Sequence, residues 1–203
     1  KHSLPQEEIN QLLVDHASNG KKVARLKGGD PYVFGRGGEE AAFLHQNKIP
    51  FEVIPGVTAG FAAAAYAGIP LTHRDVTTSV AMLTGHERPD RKLSSIDWDK
   101  LANGVGTLIF YMGMTNLGFI CSELIKHGRS SETPVAVVQW ATLPRQKTLV
   151  GTLASIHDDV LKNDINPPAI IIIGDVVNYR EELRWYDNLP LFGRCFLLTR
   201  PRE

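Results

Sequence analysis

Short apolar runs alternate with helix-forming segments along most of the chain. In the first half, residues 23–26 and 51–54 are apolar runs of strand length. Each run is followed by a segment with helical spacing or helix-favouring composition, at 39–47 and at 57–68. An amphipathic helix is also predicted directly after Pro5. The first half therefore predicts two strand–loop–helix units behind an opening helix.

The second half repeats the same rhythm after residue 77. Strands are predicted at 77–84, 107–112, 134–138, 147–151 and 169–173, and helices at 97–102, 116–127 and 153–163. Helices that alternate with strands predict the α/β class, with mostly parallel or mixed sheets flanked by helices. The pattern divides the chain into an α/β domain at 1–77 and a second one at 78–188.

The two ends of the chain carry further expectations. Residues 189–203 are interpreted as a linker and the first strand, near 195–199, of a following domain, and 180–188 as a helix or linker before it. An α/β protein rarely opens on an amphipathic helix, so we expect a strand and a loop upstream of Lys1.

A glycine-rich loop at residues 27–38 joins the first predicted strand to the helix at 39–47. In open α/β sheets, small ligands bind at such carboxyl ends of strands. Five glycines, at 28, 29, 35, 37 and 38, leave the main chain bare, and Asp30 adds a carboxylate that accepts hydrogen bonds. The sequence favours a ligand with hydroxyl or ammonium donors, although a plain glycine turn is the alternative.

The spacing of the loop argues against two common nucleotide motifs. A phosphate-binding P-loop needs Lys-Ser or Lys-Thr after its second glycine, whereas Gly35 is followed by Arg36 and Gly37. The dinucleotide fingerprint Gly-x-Gly-x-x-Gly is not supplied by Gly28, Gly29 and Asp30 either.

Composition excludes several partners. The chain has 22 Lys and Arg residues against 22 Asp and Glu residues, so no basic excess points to nucleic acid or to an anionic membrane. Its longest apolar runs, such as 169–173, are too short to span a bilayer. Cys121 and Cys195 are far apart and lack metal-ligand spacing, which indicates no metal site and a reducing, cytoplasmic setting.

Six segments together resemble the tetrapyrrole methylase family over roughly residues 2–186. They are PQEEIN at 5–10, RLKGGDPYVFGRGGEE at 25–40, VIPGVTA at 53–59, AGIPLTHR at 67–74, FYMG at 110–113 and PAIIIIG at 168–174. The glycine loop and the string at 67–74 are highly specific in combination. Either string alone would suggest only the wider family.

The resemblance implies a two-domain α/β enzyme, usually a homodimer, that binds S-adenosyl-methionine in the cleft between its domains. Within the family, the similarity is greatest to members that methylate uroporphyrinogen III at C2 and C7, giving precorrin-2 for sirohaem or cobalamin. The family's proton acceptor and donor are expected upstream of Lys1, so no catalytic residue is named here. The tail from Leu191 resembles the start of uroporphyrinogen-III synthase, which implies a bifunctional protein.

Site residues follow from the resemblance by position. The implied cofactor contacts are Gly28, Gly29, Asp30, Val33, Thr58, Ala59, Met112 and Ala141, with Ala169 as a further candidate. Related sequences often have glycine where this chain has Ala141, but a backbone contact would survive the extra methyl group. Arg36, His73 and Arg74 are candidates for pairing with the eight substrate carboxylates, against the alternative that they are ordinary surface residues. For His86 a site role is left open.

Three other functions compete with this hypothesis. The first is another precorrin methyltransferase of the same family, and the second is a noncatalytic module that holds the cofactor or a tetrapyrrole. The third is a dinucleotide-dependent oxidoreductase. We also expect Asp30→Ala to weaken cofactor binding with little loss of folding stability, since a loop carboxylate has no core to support.

Overall fold

The computed structural model of the protein describes residues 4–85, 96–197 and 199. The chain forms two compact units, Lys1–Thr58 and Ala59–Glu203. The two units meet between residues 58 and 59, which is earlier in the chain than the predicted domain boundary between 77 and 78. The three predicted domains stay a prediction. His86 lies outside the described residues.

The first unit contains two α-helices, α1 (Gln6–Ser18) and α2 (Gly37–Gln46). Glu7 and Glu8 lie in the first turn of α1, where carboxylates favour the positive end of the helix dipole. The helix stops before Gly20, which has a left-handed φ of 74°. Both predicted helices are therefore confirmed, and α2 begins two residues earlier than the prediction.

The two strands predicted in this unit, at 23–26 and 51–54, were wrong. Both segments are irregular, and no strand ladder in the described part of the chain includes them. A strand requires a neighbouring strand to pair its N–H and C=O groups, and an apolar run alone cannot supply that partner. Their side chains are correspondingly open to solvent, with Leu26 89% and Ile54 73% exposed.

The second unit begins with α3 (Ala59–Ala67) and is built around a five-stranded sheet. The strands are β1 (Val80–Thr84), β2 (Thr107–Tyr111), β3 (Pro134–Gln139), β4 (Lys147–Thr152) and β5 (Ala169–Ile173). The flanking helices are α4 (Trp98–Gly104), α5 (Leu117–Lys126), α6 (Ile156–Lys162) and α7 (Arg180–Leu183), with short 3-10 turns at Met114–Asn116 and Asp175–Tyr179. The strands and helices predicted in this half are confirmed, with ends shifted by a few residues.

The sheet is mixed, and its strand order is β1-β2-β5-β3-β4. Strand β1 is parallel to β2, whereas β5 is antiparallel to both β2 and β3. Strands β1, β2 and β3 therefore point the same way, and their carboxyl ends lie along one edge of the sheet. This edge is where the topology of an α/β sheet places ligands.

The core of this unit lies on the sheet, because its central strands are apolar along their whole length. Leu108, Phe110, Ile171 and Ile173 are fully buried. Strand β5 occupies the middle of the sheet, and its run of four isoleucines contacts neighbours on both sides. Trp98 belongs to this core: its ring stacks on Phe110 with centroids 6.4 Å apart and meets Phe119 edge-on at 5.9 Å.

The segment after β5 is held against α3 by the buried side chain of Arg180. Arg180 is 8% exposed, and its guanidinium donates to the carbonyl of Ala67 and to the carboxylate of Asp187. Residues 180–188 were predicted to form either a helix or a linker. The structure has a helix over Arg180–Leu183 only, and a non-helical segment follows it. Residues 195–197 and 199 are in no strand, so a following domain stays a prediction.

The two cysteines differ in environment, which gives a simple prediction. Burial raises the pKa of the Cys121 thiol to about 11, whereas Cys195 is exposed. Because the thiolate is the reactive form, Cys121 stays protonated and unreactive at pH 8. We expect a chromogenic disulfide reagent to modify one thiol rapidly in the native protein and both in urea. Rapid modification of both native thiols would contradict the burial of Cys121.

Candidate functional site

The glycine loop of the first unit forms a tight turn around Pro31. The N–H of Gly37 donates to the carbonyl of Pro31 at 2.9 Å. A Cβ atom at Gly35 or Gly37 would lie 2.8 or 2.4 Å from that carbonyl oxygen, well inside contact distance. These two glycines are therefore required by packing, and a ligand is not needed to explain them.

Gly28 and Gly38 have no such explanation within the chain. A Cβ atom at either position would meet nothing within 4 Å, and neither residue has a left-handed φ. Gly28 is exposed and directly precedes Gly29 and Asp30. A ligand that approaches the main chain closely is a physical reason for glycine at position 28.

Asp30 joins the glycine loop to the irregular segment at residues 55–58 of the same unit. Its Oδ1 accepts from the N–H of Tyr32 at 2.9 Å, and its Oδ2 accepts from the N–H of Gly56 at 3.1 Å. A Cβ at Gly56 would lie 3.3 Å from the main chain of Gly29, so the two loops are in close contact. Nearby, Val33 is half-buried and donates to the Asp30 carbonyl at 3.4 Å.

These bonds change the expected effect of Asp30→Ala. The substitution removes two charge-assisted hydrogen bonds to main-chain donors, so we expect a loss of about 2 kcal/mol of unfolding free energy in urea, discounted for partial exposure. The premise that this loop carboxylate has nothing to support is corrected by these two bonds, whereas the expected weakening of cofactor binding stays a prediction. Asp30→Asn keeps one acceptor oxygen and is expected to lose about half as much; an unchanged urea midpoint in both variants would show that the bonds contribute nothing.

Arg36 is already paired within its own loop. It precedes α2 and has a left-handed φ of 58°. Its guanidinium donates to the Glu39 carboxylate, from Nε to Oε1 at 3.0 Å and from Nη2 to Oε2 at 2.6 Å. The hydrogen bond and charge of Glu39 raise the pKa of Arg36. Both side chains are 52% exposed, so the pair is open to exchange with solvent or another anion.

In the second unit, the topology brings two predicted cofactor contacts to one edge of the sheet. Met112 follows the last residue of β2, and Ala141 lies two residues after the end of β3. Strand β5 lies between these strands, so their ends are roughly 10 Å apart. Ala169 opens β5 opposite Gln139 and therefore lies at the same edge.

The main chain at this edge adopts conformations that side chains disfavour. Met112, Trp140 and Thr142 have left-handed φ values of 53°, 50° and 70°. Such residues cost free energy and tend to cluster at functional sites. Gln146 holds the loop by accepting from the N–H of Thr142 at 2.9 Å and donating to the Tyr66 carbonyl at 3.1 Å. Met112 itself is 54% exposed.

Tyr111 ties this edge to the start of α3. Its hydroxyl accepts from the N–H of Gly60 at 3.0 Å, and a Cβ at Gly60 would lie 2.4 Å from the same oxygen. Ala59, an exposed predicted contact, directly precedes Gly60, whereas Thr58 is buried at the end of the first unit. Sequence reasoning used Met112 of the FYMG string and missed Tyr111, although a tyrosine closing a buried strand was the available signal.

The remaining substrate candidates differ in their surroundings. The His73 ring stacks on Tyr179 with centroids 4.4 Å apart, and its Nδ1 accepts from the N–H of Asp75 at 3.3 Å. Arg74 beside it is exposed. His73 thus has a packing role of its own, while Arg74 presents its side chain to solvent.

Within residues 4–85 and 96–197, no three His, Cys, Asp or Glu side chains are grouped so as to hold a metal ion. No helix there is both long and apolar enough to cross a membrane.

The α/β fold with its mixed sheet is shared with solved tetrapyrrole methyltransferases, so the fold defines the class as methyltransferases of this kind. Residues 1–157 match the family model described as "Tetrapyrrole (Corrin/Porphyrin) Methylases". The chain belongs to this family.

Curated relatives make the position within the family more specific. The chain is 55% identical over 178 residues to a uroporphyrinogen-III C-methyltransferase of Priestia megaterium, which covers 88% of this chain and 74% of the relative. It is 50% identical over 199 residues to a uroporphyrinogen-III C-methyltransferase of Bacillus subtilis, covering 98% of this chain but only 41% of that protein. A siroheme synthase of Pseudomonas putida is 49% identical, with 40% of its length covered. The chain thus spans well under half of two of these three relatives.

Solved structures agree with this placement. A uroporphyrin-III C-methyl transferase of Thermus thermophilus, complexed with S-adenyl homocysteine, matches with a TM-score of 0.74 and 39% identity over 85% of this chain and 74% of that one. A cobalt precorrin-4 methyltransferase matches with a TM-score of 0.77 and 32% identity over 87% of this chain and 74% of that one.

Proposed function

We propose that this chain is the methyl-transferring part of an enzyme that carries methyl groups from S-adenosyl-methionine to C2 and C7 of uroporphyrinogen III, giving precorrin-2. The observation that carries the proposal is the identity of about half of all residues with uroporphyrinogen-III C-methyltransferases over nearly the whole chain. The solved relative that holds S-adenyl homocysteine supports the cofactor.

The residues of the proposed site suit this cofactor. Gly28 leaves main chain open to a ligand, and each Asp30 oxygen accepts one N–H and keeps a lone pair for a hydroxyl or ammonium donor. Met112 and the loop at Ala141 offer main-chain groups at the sheet edge of the second unit. Gly29, Val33, Thr58 and Ala59 complete the proposed set.

The bound cofactor supplies a methyl group already activated by its sulfonium. The task of the protein is then mainly to align a pyrrole carbon with that methyl group and to exclude other geometries. The chain's part in this is to hold the two partners, since the proton acceptor and donor are assigned to none of its residues.

Cations of the chain are proposed to hold the substrate carboxylates. Arg36 has five N–H donors and an exposed ion pair, so a substrate carboxylate can share or replace Glu39. Arg74 is exposed and His73 adjoins it. The three residues form the proposed substrate-binding set.

The decisive experiment is a methylation assay with the full-length protein, radiolabelled S-adenosyl-methionine and uroporphyrinogen III. We expect two methyl groups per substrate and a product with the absorption of oxidised precorrin-2. Cofactor binding without any transfer would favour a noncatalytic module. Tight binding of NAD alone in calorimetry would favour the oxidoreductase alternative.

A second specificity has one observation in its favour. The cobalt precorrin-4 methyltransferase gives a TM-score of 0.77, similar to that of the Thermus enzyme, although its identity is lower at 32%. Assays with later precorrins therefore belong in the same series. Methylation of those substrates and not of uroporphyrinogen III would overturn the main proposal.

Several finer features are proposed together with this activity. They are a homodimeric assembly, a cytoplasmic location, a role in sirohaem or cobalamin synthesis, and a uroporphyrinogen-III synthase domain after Leu191. The siroheme synthase relative supports the first of the two pathways. Size-exclusion chromatography of the full-length protein tests the dimer.

A further inference from the structure

Four polar side chains converge beneath the glycine loop of the first unit. Glu40 on α2 is 5% exposed, and its Oε1 lies 3.1 Å from Gln6 Nε2, 3.2 Å from Arg25 Nε and 3.2 Å from Lys27 Nζ. Lys27 also donates to Oε2 at 3.3 Å. One carboxylate thus receives three donor side chains from two separate segments, α1 and residues 25–27.

The charged cluster is held in its ionised form despite burial. Burial alone would raise the pKa of Glu40, but hydrogen bonds from Gln6 and Lys27 and the charges of Lys27 and Arg25 outweigh it and lower that pKa. A buried ion pair of this kind adds little net stability compared with apolar residues of the same size. Its effect is instead to fix the relative positions of the chain segments that it joins.

The cluster joins the two ends of the glycine loop. Lys27 directly precedes Gly28, and Glu40 lies in the first turn of α2, just after Gly37. The Lys27–Glu40 pair spans 13 residues and closes the chain around the turn at Pro31. Lys27 is only 14% exposed in its side chain, so the pair is shielded from water and from salt.

The loop has few other restraints at its amino-terminal end. The Asp30 carboxylate holds its middle by accepting from the N–H of Gly56, and the N–H of Gly37 holds its far end by donating to the Pro31 carbonyl. Gly28 has no side chain and no neighbour within 4 Å of where one would be. The side chain of Lys27 is therefore the closest preceding anchor that can fix the direction of the main chain at Gly28.

We propose that Glu40 is a positioning residue for S-adenosyl-methionine, acting through Lys27 and Arg25 to hold the main chain at Gly28 and Gly29 in its binding conformation. Glu40 does not touch the cofactor in this proposal. The inference rests on the proposed function, since it needs the glycine loop to be part of the cofactor site.

The test compares Glu40→Gln and Lys27→Gln in the full-length protein, with Glu8→Gln as the control variant in the same unit. Glu8 is exposed and lies in the first turn of α1. We expect the KM for S-adenosyl-methionine and the Kd for S-adenosyl-homocysteine to rise about tenfold in the first two variants, and kcat to stay within twofold. The control is expected to keep both constants within twofold.

A purely structural role gives a different result, because partial unfolding lowers the active fraction, and hence kcat, without raising KM. Glu40→Gln/Lys27→Gln is expected to bind no more weakly than the single variants, since the two side chains act as one unit. If Glu40→Gln does not fold, Lys27→Gln carries the test with the same expected tenfold loss.

The possible failures are distinguishable. Absence of S-adenosyl-homocysteine binding to the unaltered protein contradicts the proposed function itself. Normal binding by the unaltered protein, combined with unchanged KM and Kd in folded Glu40→Gln or Lys27→Gln, overturns only the positioning role. A fall in kcat at constant KM also overturns it, in favour of a structural role.

Discussion

Gly28→Val is expected to weaken binding of S-adenosyl-methionine on the order of 100-fold, because its branched side chain occupies the space through which a ligand reaches the main chain. The free energy of unfolding is expected to change by less than about 0.5 kcal/mol, since a Cβ at this exposed position meets nothing within 4 Å. Calorimetry with S-adenosyl-homocysteine and urea unfolding measure the two quantities separately.

Gly38→Ala is the matched control for this prediction. It lies in the same loop region, at the start of α2, and its added Cβ is equally free of contacts. Alanine favours the helix, so we expect a gain of about 0.5 kcal/mol in stability and no change in affinity. Equal affinities of Gly28→Val and the unaltered protein would place the cofactor elsewhere. A further variant, Gly37→Ala, should lose stability because its Cβ would collide with the carbonyl of Pro31.

Arg180→Met is expected to lower the free energy of unfolding by about 3 kcal/mol, the effect of removing one partner from a buried ion pair. Methionine keeps most of the aliphatic volume, so the loss reports the charge and its hydrogen bonds. Asp187 is left with a 22% exposed carboxylate and no cation, and its Oδ1 is already a buried atom without a hydrogen-bond partner. The Ala67 carbonyl also loses its donor.

The double variant Arg180→Met/Asp187→Leu separates the effect of the two charges from the effect of side-chain volume. Replacing both charges by apolar groups leaves no isolated buried ion, so we expect the double variant to recover at least half of the loss. Urea unfolding of both variants at constant pH and salt makes the comparison. A double variant no more stable than Arg180→Met would show that the carbonyl of Ala67, and not the isolated carboxylate, is the main source of the loss.

Local patterns were sufficient where an element carries its own hydrogen bonds or lies in the middle of a sheet. The helix at Gln6–Ser18 follows from a proline, two early glutamates and a terminal Asn-Gly. The run at Ala169–Ile173 is rich in isoleucine and lies buried in the middle of the sheet, as its β-branched composition predicts. Resemblance to a family added the residues of the site, which no periodicity indicates.

The same reasoning failed where pairing was required. The apolar runs at 23–26 and 51–54 have the composition of strands but no ladder in the described structure, since a strand depends on a partner that its own sequence does not specify. Asp30 was read as a ligand group alone, whereas Gly56, distant in sequence, supplies one of its donors. Glu40 gave no signal as part of a Glu-Glu pair at the start of a helix.

The sequence by itself determined the α/β class, the order of most helices and strands, and the glycine loop with its family. These depend on residues that are neighbours along the chain, or on strings long enough to be specific. Only the tertiary structure decided which glycines are needed for packing, that Met112 and Ala141 share an edge of the sheet, and that Lys27 and Glu40 close the loop. Each of these is a distance between residues far apart in sequence, and such distances are set by the packing of the whole unit.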